Sequence, residues 1–227
     1  MHSFVGTPER LSALREACLV RDRHRCIVSH AFDAGEAARR FVNGPAIDDV
    51  GDPLIGSDYQ TVKVAHIIIP YALTKAGVDG RIDEAKKTAI AILNMFDLGV
   101  VHLIEVTEIN RPYNAITLSS IMHLFFGNYK IFFKGTGDDP HTYQIGTFLH
   151  PEVLRLLPVT RTLFTHLTID PPSRRLLALH YAIAHILHLS GAGDYIDRIL
   201  RDMEDGIVRG DGSTELGVIV DLALRVQ

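Results

Sequence analysis

Residues 62–69 read Val-Lys-Val-Ala-His-Ile-Ile-Ile and are closed by Pro70. β-Branched side chains lose rotamer freedom in a helix but fit a pleated surface, and proline cannot donate to a strand ladder. The run predicts a strand, the clearest in the chain, and any fold must pair it and cover it. It also puts one imidazole, His66, near the strand's end.

The other elements are read around it. Thr7 as N-cap and Pro8 at the first helical position start a helix, and Leu11, Leu14, Ala17 and Cys18 recur at helical spacing, so residues 8–22 are expected to form an amphipathic helix. Cys26-Ile27-Val28 reads as a short β-type run, and Gly, Pro and Asp make residues 43–58 a loop. Asp83 can cap a helix through Phe96, and Val100 to Ile109 is strand-like. Asn110 to Asn114 is a turn around Pro112. Residues 116–126 read as helical, with Ile116, Ser120, His123 and Phe126 spaced to share part of one face.

Residues 129–133 and 142–149 flank Gly135-Thr136-Gly137-Asp138-Asp139 and predict a hairpin or two neighbouring strands. Beyond Pro151 the pattern is mostly helical. A helix over 173–189, apolar nearly all round, is expected to be buried, with further helices from Asp194 to Glu204 and over 213–225. The expected class is α+β: a kernel near residues 62–126, an N-terminal helix, and a C-terminal helical part over 151–227. One domain spanning 1–227 is expected, because no long polar linker divides the chain.

A chain of 227 residues can bury roughly 70% of its unfolded surface, so it needs no disulfide staple. Cys18 and Cys26 are read as reduced core residues. The N-terminus lacks a basic stretch followed by an apolar one, and no apolar run reaches the roughly 20 residues of a bilayer span. An intracellular location, cytoplasmic or nuclear, is expected. Residues 1–134 hold 15 Lys/Arg and 15 Asp/Glu, and residues 135–227 hold 8 and 12, so the net −4 resides in the second part. Duplex binding draws on clustered cations that displace phosphate counterions. Here the basic residues are scattered, and only a local basic patch could serve.

The informative constellation is Ala65-His66-Ile67-Ile68, Arg111-Pro112-Tyr113-Asn114-Ala115-Ile116 and His123-Leu124-Phe125-Phe126. A histidine ends a strand, an asparagine sits in a turn, and a second histidine follows nine residues later on a helix. This order resembles the ββα-metal motif of HNH endonucleases, in particular a divergent group found in many fungal proteins. Its "CxVS/T", "AHI(I)P", "NAI" and "HxxF" stretches fall on Cys26, His66, Asn114 and His123. The tail "LHYAIAHILHLSGAGDYIDRILRDMED", with "DGS" at 211–213, resembles the same group, so the likeness spans most of residues 12–214.

The resemblance implies a DNA-cutting enzyme with a catalytic trio of His66, Asn114 and His123. His66 would be the general base that takes a proton from the attacking water, a task that suits an imidazole because its pKa lies near neutrality. His123 would be the metal ligand, holding a divalent cation, usually Mg2+, against the phosphate. Asn114 would fix the turn and orient the base. The pattern departs at Ala65, where such enzymes commonly place Asp, His or Glu as a second ligand. Glu105, Glu108 and Asp97 are the nearest acids in sequence that could replace it.

Two other classes of function stay open. On the same scaffold His66, with His123 or Tyr113, could act as acid or base on a small-molecule metabolite without metal, as in fungal secondary metabolism. The chain could also be an interaction module that forms a homodimer through the helix at 173–189. Taken singly, His66 suits a core strand, Asn114 suits a turn, and His123 would pack beside Phe126. His180, His185 and His188 read as packing residues, and Asp194, Asp197, Asp202, Glu204 and Asp205 as a solvated helix face.

Overall fold

The computed structural model describes residues 8–42, 44–68, 91, 93–104, 108–137 and 139–191. In chain order the elements are α1 (Pro8–Arg21), β1 (Phe32–Asp33), α2 (Ala34–Phe41), β2 (Tyr59–Gln60) and β3 (Val62–His66). Then come β4 (Ala115–Ser119), α3 (Ser120–Gly127), β5 (Ile131–Gly135), β6 (Thr142–Thr147), β7 (Val159–Thr162) and α4 (Arg174–Leu189). The mixture is α+β, as expected. The chain groups into two compact units, Met1–Ala184 and His185–Gln227. Of the second, the described residues are 185–191, the end of α4 and the start of the turn after it. No helix among the described residues is long and apolar enough to cross a membrane.

The strand expected at 62–69 forms as β3 and pairs antiparallel with β4, with Val62 opposite Ser119 and His66 opposite Ala115. α3 follows β4 directly and packs on both strands. The two faces of this ladder meet different neighbours, because alternate residues of a strand point opposite ways. Ala115 packs with Leu14 and Cys18 of α1, with Val64 beside them. Ile116 and Leu118 join Met122 and Phe126 of α3 in the main core. That core continues through Ile131, Phe133 and Ile145 of the β5–β6–β7 sheet to Leu176 and Leu177 of α4.

A smaller cluster of Phe32, Ala37, Ala46 and Leu54 lies under α2. Asp33 caps α2 by accepting from the Glu36 amide at 2.8 Å, and its other oxygen accepts from Val62 N at 3.1 Å. The cap thereby also holds the first residue of β3.

Several elements differ from expectation for identifiable reasons. Residues 115–119 are strand, and the helix begins at Ser120. All five residues of β4 are buried, since α1 and α3 cover it, and a strand covered on both faces shows no polar alternation to reveal it. The described parts of the stretch expected as a strand at 100–109, residues 100–104 and 108–109, are not strand. Gly99, at φ 82°, leads into a 3-10 turn over Val100–Leu103, and Glu108–Asn110 forms another. Val100, Val101, Ile104 and Ile109 are apolar because the core receives them.

Cys26-Ile27-Val28 is a buried turn, with Ile27 N donating to Thr117 O at 2.9 Å. Beyond Pro151, β7 adds a strand to the expected hairpin before α4. On α4 the burial is one-sided up to residue 184: Leu176, Leu177, Leu179, His180 and Ala184 are covered, Arg174, Arg175 and Ala178 exposed. Residues 93–96 of the helix expected from Asp83 are helical. Thr7, the rest of that helix and those expected at 194–204 and 213–225 lie outside the described residues.

One buried ion pair fastens α1 to this framework. Arg21 and Asp22 side chains have no exposed surface and meet twice at 2.8 Å. Arg21 also donates to the carbonyls of Pro112 at 2.7 Å, Ala115 at 2.8 Å and Asp170 at 3.2 Å. Asp22 accepts from Thr117 N at 3.1 Å. Removing one partner of such a pair leaves a buried charge without compensation. Arg21→Met is expected to cost about 3–5 kcal/mol of stability, read as a lower urea midpoint. A loss below about 1 kcal/mol would show that the pair is not a fastening.

Candidate active site

His66, Asn114 and His123 all fall on the β3–β4–α3 unit. Asn114 is the residue before β4 and is fully buried. Its Oδ1 accepts from Ile68 N at 3.0 Å, while Nδ2 donates to Ile68 O at 3.2 Å and Ile109 O at 2.9 Å. Its backbone carbonyl accepts from Ile67 N at 2.8 Å. A buried amide with its side-chain donor and acceptor both engaged is costly to disturb. Asn114 thus ties the chain leaving β3 to the chain entering β4, and fixes the backbone on which His66 stands.

His66 closes β3 opposite Ala115, so it shares a ladder face with Val64 and Ala115. Its Nε2 lies 3.1 Å from Oδ1 of Asn110. An amide oxygen only accepts, so Nε2 carries the proton and Nδ1 the lone pair. Burial pushes the His66 pKa below its usual value, and the bond to Asn110 opposes that shift. The ring is therefore neutral at pH 7 and able to take up a proton.

His123 sits half-buried on α3. Burial and the nearby Lys63 ammonium lower its pKa, and a hydrogen bond to the backbone of Val64 opposes them. His123 is thus held at β3 two residues before His66, but the two rings have different partners. Ala65 between them is buried and stands opposite Ile116.

Asn110 was legible only as part of a turn. The segment Asn110-Arg111-Pro112-Tyr113-Asn114 offers two asparagines four apart, and nothing in its composition tells which meets the ring and which clamps the backbone. Tyr113 donates to Leu103 O at 3.1 Å and to Glu108 Oε2 at 3.0 Å. Burial, followed by the Glu108 contact, pushes its phenol up to about 12.

A divalent cation needs more donors than His123. Mg2+ takes about six oxygens in octahedral array. Among the described residues no group of three His, Cys, Asp or Glu lies together. Asp97 is paired with Arg175 at 2.6 Å, Glu108 accepts from Tyr113 and joins no such group among the described residues, and Glu105 lies outside them. The Lys63 charge beside His123 also opposes a cation. The described residues do not make a Mg2+ site.

A third imidazole lies close by. His66 borders a small closed crevice with Ile67, Phe126, Gly127, Tyr129 and His180. His180 stacks on Phe126 with centroids 3.9 Å apart and on Tyr129 at 4.7 Å, and its Nε2 lies 3.1 Å from Phe126 O. This is the packing role expected of it. Burial depresses its pKa to about 4.

The family model described as HNH endonuclease matches residues 43–134, less than half of the chain. The matched stretch contains β3, β4 and α3 with His66, Asn114 and His123. No curated protein and no solved structure matches the chain.

The depressed value of His180 has a consequence for stability. Above pH 6.5, the ordinary value, both folded and unfolded chains are neutral here and the contribution is complete. As pH falls from there toward 4, the unfolded chain binds a proton that the folded one refuses, so stability drops. The drop is expected to approach 1.4 kcal/mol per pH unit, or about that. Urea midpoints measured against pH check this: His180→Phe, which can still stack, should lose that part of the slope. Parallel profiles for the two proteins would refute it.

Proposed function

We propose that the chain is an HNH-type nuclease whose His66 activates water for hydrolysis of a DNA phosphodiester bond. The observation that carries this reading is that Asn114 clamps the two strands of the β3–β4–α3 unit inside the matched segment, directly beneath a neutral, anchored His66. HNH domains are nucleases that generally bind DNA and use a divalent metal. The match to the HNH endonuclease model supports nuclease-type chemistry.

In this reading His66 takes the proton at Nδ1, because Nε2–H is already engaged by Asn110. The positive charge that develops on the ring is stabilised through that same bond, since a protonated imidazole is the stronger donor. Low basicity keeps the ring deprotonated until substrate arrives, and positioned general bases contribute about 10²–10⁴-fold. Asn114 acts through the backbone and holds His66 in place. His123 is the residue that would meet a cation, which would supply charge stabilisation at the phosphate.

A second reading is favoured by Ala65 and by the lack of three clustered donors among the described residues: acid/base catalysis on a small molecule without metal, with the same His66.

Supercoiled plasmid separates the two. The wild-type chain should nick it with Mg2+, Mn2+, Ni2+ or Zn2+, and His66→Ala should fall by about 10²-fold or more while keeping the wild-type melting temperature. Asn110→Ala should retain more activity than His66→Ala, with the pH optimum displaced. Wild-type protein that leaves plasmid intact with all four ions refutes the nuclease reading.

A further inference from the structure

A cleft lies outside the β3–β4–α3 unit, on the α1 side. It has a volume of about 430 Å³ and runs between α1 and the turn at 108–112. It is lined by the apolar residues Ala13, Leu14, Ala17 and Pro112 and by the charged residues Arg10, Glu108 and Arg111. Asn110, the hydrogen-bond partner of His66, also lines it. Ala115, opposite His66 on the ladder, packs against Leu14 of α1, so His66 is linked to the cleft through Asn110 and does not line it itself.

We infer that this cleft seats one nucleotide of the bound strand, with its phosphate between Arg10 and Arg111 and its base on Ala13, Leu14 and Pro112. The inference rests on the nuclease reading for the identity of the strand. The chemistry fits on three counts. A guanidinium fork matches phosphate oxygens, and Arg111 is free enough to turn to one: it is 55% exposed and meets Glu108 and Asp170 only at 3.8 and 3.6 Å. A flat base needs an apolar surface with polar groups at its edge, and Glu108 offers an acceptor there for an exocyclic amine.

The walls are also preformed. Arg21 holds the Pro112 carbonyl at 2.7 Å, Arg111 N donates to Glu108 O at 3.0 Å, and Tyr113 fixes the Glu108 carboxylate. A rigid cleft spares the ligand the cost of ordering it. Arg10, Ala13 and Leu14 precede the matched segment 43–134, so this subsite belongs to this chain's own N-terminal helix.

The test uses the full chain and deoxycytidine 3′,5′-bisphosphate, with deoxycytidine and inorganic phosphate as controls, in calorimetric titrations. Ala13 is exposed, so Ala13→Trp fills the cleft without demanding room in the core. The bisphosphate should bind the wild type more tightly than either control, and Ala13→Trp and the Arg10→Gln/Arg111→Gln pair should each weaken it by about tenfold or more. Binding unchanged in Ala13→Trp, or absent at about 1 mM ligand, overturns the cleft. An Ala13→Trp protein that nicks plasmid with wild-type KM overturns the cleft and leaves the nuclease reading standing. Cleft-dependent binding by a chain that never nicks supports the cleft and refutes the nuclease.

Discussion

Arg21 and Asp22 are neighbours in sequence with fully covered side chains, and between them they join four parts of the chain. A guanidinium presents its donors in one rigid plane, and here that plane is filled: two bonds to the carboxylate, and three to carbonyls of residues 112, 115 and 170. A lysine ammonium is a point charge and could not reach all of these directions at once. Through Asp22 and Thr117 the same pair reaches the middle of β4. The position of α1, the shape of the turn before β4 and the placement of Asn114 therefore follow from one fixed geometry.

The imidazoles near β3 show how packing sets chemistry. Each of His66, His123 and His180 is covered enough that burial lowers its pKa, and each has an oxygen acceptor that opposes the shift. The acceptors differ: a side-chain amide for His66, the Val64 backbone for His123, the Phe126 carbonyl for His180. His180, sandwiched by two rings, is committed to packing. His66, tied to Asn110 of the cleft and bordering the crevice, keeps a basic nitrogen for other work.

Much of this arrangement was legible in residue order. The β-branched run at 62–66, the helical spacing from residue 8 to 21 and the glycine turn between β5 and β6 each carry a local period that the tertiary structure keeps. Where the period was absent, reading failed. β4 is covered by α1 and α3, so Ile116 and Ser120 looked helical although they straddle a strand–helix boundary. The described parts of the apolar stretch at 100–109 follow the demands of the core instead of a ladder, and their turns depend on a left-handed Gly99. For the site, His66, Asn114 and His123 could be named from their order, but the bond to Asn110 and the cleft against α1 arise from contacts between distant segments, which no local period encodes.

The Asn114 clamp has a consequence for how such a chain can change over generations. By binding both Ile68 and Ile109, it shuts the base of the connection that runs between them. Leu93, Val100, Val101 and Ile104 of that connection are themselves core residues, so its described part is packed and not free chain. Lineages of such a chain are expected to keep an amide at position 114, because an apolar side chain there would leave backbone groups of Ile68 and Ile109 without their partners.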